Sequence, residues 1–400
     1  MESRRSPLRI AYLLSQYPAV NHVFMLREVR FLSQLGIEIQ VASIRNPDRD
    51  TGLMTAAEQE EARSTYYVKS SGLFRLVLAH AHTLLSRPGH YIRGLAGALR
   101  NLYGLFYFTE AVAVGYWMRH HGLTHVHTHY ASAVGVLVRR IFPVTLSIAF
   151  HGPAEFEDPA GSRLAEKVHE CLFCCAISQY GVSQLMYACG YPEWPKLELT
   201  ALGVDPSGFP PRPFRAKPSP FQIICVGRLA AVKGQHVLIA AMAALVQEGR
   251  HIRLRFVGDG PDRAALGQDV ENRGLAGCVL FEGNLNQDKL LDLYRESDVL
   301  VLSSFAEGLP VVLMEAMAME IPCVAPWVNG IPEIVSHAAD GLLVPPGDAE
   351  ALAHAIGGLM DDAEFRGTLG QNARLKILEK FDLRRNTEHL AQVFQRRLSG

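Results

Sequence analysis

The 400-residue chain has no apolar run of the ~18 residues that a membrane-crossing helix needs. No GxGxxG follows its first strand-like run, residues 8–14, which disfavours a nicotinamide cofactor there. A formal net charge of -1 gives no reason to expect nucleic acid. Cysteine is sparse, seven in all, and only Cys171, Cys174 and Cys175 cluster, in CLFCCAIS. No further ligands stand near them at metal-site spacing, so they read as reduced, strand-buried thiols of a cytoplasmic protein. The opening MESRRSPLRIAYLL meets Gln16, Tyr17 and Pro18 after a short apolar run, and reads as a first strand rather than a signal peptide. Acid is missing altogether from residues 62–109, which carry Arg63, Lys69, Arg75, Arg87, Arg93 and Arg100 among Leu, Phe, Tyr and Ala.

What is present fills two α/β halves. The chain is 48% hydrophobic and 20% charged, enough for large cores, and its length suggests two domains. Residues 8–14 read as a buried strand, and a helix over 22–35 follows, with Asn21 as its N-cap and Gly36 as its stop. A strand over 37–44 completes a strand–helix–strand unit of Rossmann type. Helices are expected over 74–85 and 89–118, the second broken at a glycine. Strands are expected over 124–130, 145–150, 172–177 and 196–199. Residues 205–220, DPSGFPPRPFRAKPSP, read as a proline-rich linker. Beyond it, strands are expected over 221–226, 254–257, 279–282, 299–302 and 322–325. The domain boundaries are therefore 1–205, a linker at 206–220, 221–380, and a helix over 381–400 that packs back on the first domain. Two such halves place a ligand cleft between them.

The acid-free stretch has two readings that composition leaves open: a surface for an anionic membrane, or packing helices with a solvated basic face. THVHTHY puts His125, His127 and His129 on one strand face. Alternate histidines can bind a metal, but the reading taken is a strand end lining a cleft, with no metal site. The strand over 145–150 delivers His151-Gly152 at its C-terminal end, where open α/β sheets bind ligands.

The densest chemistry lies at 305–317, FAEGLPVVLMEAM. An apolar strand is followed by a Gly-Leu-Pro turn and a helix from about Val311. Backbone N–H groups and the positive dipole end of such a helix suit a phosphate. Glu307 stands in the turn, and Glu315 interrupts an otherwise apolar helix, where a carboxylate is costly unless paired. Arg228 and Lys233, in VGRLAAVKG, follow another strand. Arg makes forked bonds to phosphate and Lys acts as a point charge, so the two can neutralise a diphosphate. Glu315 can accept both hydroxyls of a ribose. A sugar nucleotide asks for this combination.

These segments, with VGDGP, GIPEIV and DGLLVPPGD, resemble the retaining nucleotide-sugar glycosyltransferases of family 4. Their fold is GT-B, two Rossmann-like domains facing across a deep interdomain cleft. AYLLSQYPAVNHVFMLREVRFL resembles the colanic-acid and exopolysaccharide branch, with Asn21-His22-Val23-Phe24 where that branch often has Ser-x-Thr-Phe. The resemblance implies that Arg228 and Lys233 hold the donor diphosphate, that Glu315 holds the ribose, and that Gly227 is among the donor-binding residues. It assigns Glu307 and the backbone of Gly308, Leu309, Pro310 and Val311 to the transferred sugar and distal phosphate. His151 is placed at the reaction centre and Asn284 near the nucleoside. The catalytic set is His151, Glu307, Arg228 and Lys233.

No cofactor is implied; a UDP- or GDP-linked sugar is co-substrate. The absence of a suitably placed DxD motif agrees with metal-independent transfer. The acceptor implied is a saccharide, polyprenyl-diphosphate-linked, presented at an anionic membrane. The protein is expected in the cytoplasm, peripheral on the inner membrane face. The alternatives are a GT-B sugar-nucleotide epimerase and an inactive sugar-nucleotide-binding protein.

Overall fold

The computed structural model describes residues 7–19, 23–99 and 104–399. The expected cap Asn21, the segment Asn21-His22 and the basic residue Arg100 lie outside them. The chain divides into two compact units: unit 1 is 1–200 with 387–400, and unit 2 is 201–386.

Unit 1 is built on a seven-stranded sheet, ordered β3-β2-β1-β4-β5-β6-β7. The strands are β1 (Arg9–Gln16), β2 (Glu38–Arg45), β3 (Tyr66–Tyr67), β4 (His125–His129), β5 (Thr145–Phe150), β6 (Phe173–Ala176) and β7 (Leu197–Leu199). Neighbours pair in parallel, so both faces must be covered. Alternation along β1 shows how. Ala11 and Leu13 join a core with Phe108, Val112 and Val126, while Ile10, Tyr12 and Leu14 join another with Met25 and Val29 of helix Val23–Gln34. Helix Leu383–Leu398 supplies Leu390, Val393 and Phe394 to that second core. Arg396 and Arg397 then bond Glu198 at 2.8 and 2.7 Å.

The expected helix over 89–118 is two helices, Pro88–Ala98 and Gly104–His120, and helix Leu73–Ser86 precedes them. Gly94 and Gly104 allow the close approach: a Cβ on Gly94 would meet the Ile141 side chain at 2.8 Å. Ala79 and Thr83 are the buried residues of the 73–86 helix, whereas Phe74 is 75% and Leu85 83% exposed, with Leu73, Val77 and Leu78 also exposed. Phe106, at the start of the 104–120 helix, is 69% exposed.

Unit 2 carries a six-stranded sheet ordered β10-β9-β8-β11-β12-β13. These are β8 (Phe221–Val226), β9 (Ile252–Val257), β10 (Val279–Gly283), β11 (Val299–Val301), β12 (Cys323–Pro326) and β13 (Leu342–Val344), again paired in parallel. β13 was not read from the sequence; its three residues are too few to show a period.

The proline-rich stretch expected as a linker follows the boundary between the units and packs against unit 2. Arg215 forks onto Asp298, at 3.1 and 2.5 Å, and Asp298 also accepts from the Gln222 amide at 2.8 Å. Arg212 is buried. The guanidinium of fully buried Arg366 lies 5.2 Å from the Phe214 ring centre and donates to the carbonyls of Arg215 and Ala216. Proline composition signals extended chain but not whether the arginines among it find partners.

Candidate functional site

In unit 2 the chemistry gathers beyond the C-terminal ends of strands, where open α/β sheets bind ligands. β8 ends at Val226, and Gly227-Arg228 follow; Arg228 is exposed, and its carbonyl accepts from Gln235 Nε2 at 2.9 Å. The chain then makes a short turn, Ala231–Lys233, and passes through Gly234 at φ +58. Only glycine fits there: a Cβ would stand 2.2 Å from the Ser303 carbonyl oxygen. That approach seats Lys233 against the loop after β11. Its ammonium lies 2.6 Å from Glu307 Oε1, and Phe305 N bonds the Val232 carbonyl at 2.8 Å.

Glu307 is 7% exposed and well held. Ser304 Oγ donates to Oε1 at 2.7 Å, and the Glu307 amide donates to Asn329 Oδ1 at 3.2 Å. Gly308, Leu309 and Pro310 lead straight into helix Val311–Ala318. Glu315, in that helix, is also 7% exposed. Tyr294 OH donates to Oε2 at 3.1 Å and Gln287 Nε2 to Oε1 at 3.5 Å. Tyr294 is fully buried; burial and then the adjacent carboxylate push its phenol well above the ordinary value, so it stays a neutral donor. Asn284 is exposed immediately after β10.

The fold thus brings Lys233 and Glu307 into contact and puts Arg228 after β8 and Asn284 after β10, with β9 between those two strands. Sequence reading named these residues but missed the ones that hold them: Ser304, Asn329, Tyr294 and Gln287. No spacing rule links Tyr294 to Glu315, since they meet only through the packing of two helices.

In unit 1, His151 is the first residue after β5 and is buried. Its Nε2 lies 2.8 Å from His129 Nδ1, a hydrogen bond whose donor depends on tautomer. The His151 amide donates to Glu155 Oε2 at 2.7 Å, and Tyr130 and Phe24 flank the ring at 4.6 and 5.3 Å between centres. Burial raises the Glu155 carboxyl, partly offset by the amides of His151 and Gly152. The three β4 histidines turn to the core that holds Tyr12 and Phe394 rather than simply ending in a cleft. Burial pushes His125 down to about 3 and His127 well below the imidazole norm, so both are neutral near pH 7.

Residues 211–376 match the family described as glycosyl transferases group 1. The chain is 35% identical over 207 residues to WcaL of Escherichia coli, named for colanic acid biosynthesis, covering 50% of this chain and 51% of that protein. It is 32% identical to the amylovoran biosynthesis glycosyltransferase AmsK of Erwinia amylovora, over 50% of this chain and 51% of that one. The chain therefore matches about half the length of these two relatives. Against WcaL of Salmonella typhimurium the match spans 97% of this chain and 100% of the other at 25% identity. Among solved structures, Anabaena HepE in complex with UDP and glucose is 19% identical with a TM-score of 0.76, covering 97% of this chain and 99% of that one. Sucrose-phosphate synthase of Thermosynechococcus elongatus reaches 0.74 at 20% identity, over 98% and 99%. At these identities the likeness establishes the fold, the two-domain α/β architecture of GT-B proteins.

Proposed function

We propose that this chain, whose residues 211–376 form a glycosyl transferases group 1 domain, moves a sugar from a nucleotide-sugar donor to a saccharide acceptor in the assembly of a surface polysaccharide. The observation that carries the reading is the cation–carboxylate group of unit 2: Lys233 fixed 2.6 Å from Glu307, with Arg228 at the neighbouring strand end. Arg228 and Lys233 hold the donor diphosphate and stabilise the charge that builds on it as the glycosidic bond breaks. Glu315, braced from behind by Tyr294, accepts the ribose hydroxyls. Glu307 and the amides of Gly308, Leu309 and Val311 meet the transferred sugar and distal phosphate, His151 contacts the sugar, and Asn284 stands near the nucleoside. The reaction retains configuration, the acceptor attacking from the face that the nucleotide leaves. Because two cations and a helix start supply the countercharge, the step uses no divalent ion.

The acceptor proposed is a polyprenyl-diphosphate-linked saccharide at an anionic membrane. Two features support this: the relatives named for colanic acid and amylovoran biosynthesis, and the exposed apolar side chains of helix Leu73–Ser86, with exposed Arg75 on that helix and exposed Arg93 on the next, Pro88–Ala98. Apolar side chains enter the headgroup boundary while the arginines meet anionic lipid. A thermal-shift screen of UDP- and GDP-sugars identifies the donor, because a ligand that binds only the folded state raises its apparent stability. Anomeric NMR of the product then tests retention. If no nucleotide sugar shifts the unfolding transition at millimolar concentration, the reading fails.

A further inference from the structure

The histidines of β4 differ in how they are satisfied. His125 is closed on both sides, Nδ1 on Thr145 Oγ1 and Nε2 on Ser147 Oγ, each at 2.8 Å. His127 and His129 are held on one side only. His127 Nδ1 is 2.7 Å from Ser147 Oγ, and His129 Nδ1 is 2.8 Å from His151 Nε2. Their Nε2 atoms are buried and make no hydrogen bond. Glu28, from helix Val23–Gln34, joins them. Its Oε1 is 3.3 Å from His129 Nε2, an ion-pair distance without hydrogen-bond alignment, and Tyr12 OH donates to it at 3.0 Å. One ligand atom from each of Glu28, His127 and His129 lies within 4.8 Å of the others, and all three residues are buried.

Each of the three groups is therefore gripped from outside, by Tyr12, Ser147 or His151, and has a lone-pair atom left for a shared centre. That is how protein ligands to a metal are usually held, because the outer bond fixes the tautomer and aims the inner atom. We propose that Glu28, His127 and His129 form a binding site for a single divalent ion of the first transition row, Zn²⁺ foremost, in the core of unit 1. Two imidazoles and a carboxylate are the donor set such ions take, with a fourth position left over. The 3.3 Å contact between Glu28 and His129 matches an edge of a tetrahedron with bonds of ~2.0–2.1 Å. The ion gives buried Glu28 a countercharge. It ties helix Val23–Gln34 to β4, and it leaves the His129 proton on Nδ1, donated to His151 Nε2. It has no part in neutralising a donor diphosphate, and the site stands whether or not the transferase reading does.

The test is metal content. The full chain is expressed without a polyhistidine tag in zinc-supplemented medium, purified, and analysed by plasma mass spectrometry, with Co²⁺ uptake as an optical probe. About one ion per chain is expected. Glu28→Gln and His127→Gln should each weaken retention tenfold or more, whereas His125→Gln, whose histidine lies outside the set, should keep the ion. Tyr12→Phe removes the outer grip on Glu28 without touching a ligand, and should weaken binding about 10–100-fold even if the ligand variants fold poorly. A wild-type chain that carries no metal and takes up neither Zn²⁺ nor Co²⁺ would overturn the proposal. So would equal retention by the wild type and all the variants.

Discussion

In unit 2 the groups assigned to the donor sit beyond the strands, on turns that pass through glycine: Gly227-Arg228 after β8, and Glu307 to Pro310 after β11. In unit 1 the histidines of β4 sit within a strand and face a core. The first arrangement leaves Arg228 open to an arriving ligand and makes local sequence diagnostic, because the turn and the reactive residue are neighbours in the chain. The second joins residues from a helix and several strands, and its logic is visible only once they are packed. A loop cluster of this kind tolerates substitution at a cost in ligand affinity. A core cluster couples any substitution to folding.

That contrast orders the expected effects. The largest belongs to the exposed clamp. Arg228→Ala and Lys233→Ala should each lower transfer by roughly 10²-fold or more, since what is lost is charge stabilisation on the leaving diphosphate. The unfolding midpoint should stay near that of the wild type for exposed Arg228→Ala and fall for Lys233→Ala, which strips buried Glu307 of its countercharge. Steady-state rates with the screened donor check it. Wild-type turnover in either variant would dissolve the distinction between the units. A rate unchanged by adding Mg²⁺ or Mn²⁺ to buffers stripped of divalent ions belongs to the same expectation.

Next comes the support behind the clamp. Tyr294→Phe deletes the hydroxyl that bonds buried Glu315. Leaving such a carboxylate short of a donor costs about 1–3 kcal/mol, which denaturant unfolding of the full chain would register. Ribose-side affinity should fall as well. A variant as stable as the wild type would mean that Glu315 is held by other partners.

The smallest effect lies on the surface of unit 1. Arg75→Gln and Arg93→Gln should each weaken sedimentation with anionic liposomes by about 1 kcal/mol, roughly fivefold, and the loss should shrink as salt rises. Indifference of the wild type to anionic liposomes at low salt would reduce the stripe of Phe74, Val77 and Leu85 to a surface for something other than lipid.

How much was legible follows the same division. Strand edges came within a residue or two wherever an apolar run met Gly, as at Phe221–Val226, because parallel strands buried on both faces are apolar throughout. Arg228, Lys233, Glu307 and Glu315 stood out because charge interrupted apolar segments at recognisable spacing. Tyr294, Ser304 and Asn329 did not, because a buried tyrosine or a loop serine looks alike whether or not a carboxylate waits beside it. Glu28 was the deepest miss. It lies inside an amphipathic helix among Arg27 and Arg30, where an acid ordinarily reads as solvated, and only the fold brings it to His129. The contacts of the proline-rich stretch were hidden for a similar reason: Asp298, which anchors Arg215, is far away in the chain.

The central claim is that unit 2 binds a nucleoside diphosphate through Arg228 and Lys233. Isothermal titration of UDP and of GDP into the full chain in buffer without divalent ions, repeated with Lys233→Ala, tests it most directly. The account predicts saturable binding of one of the two at one site per chain, weakened at least tenfold in the variant. Failure of both to bind the wild type, or equal affinity for the variant, would contradict it.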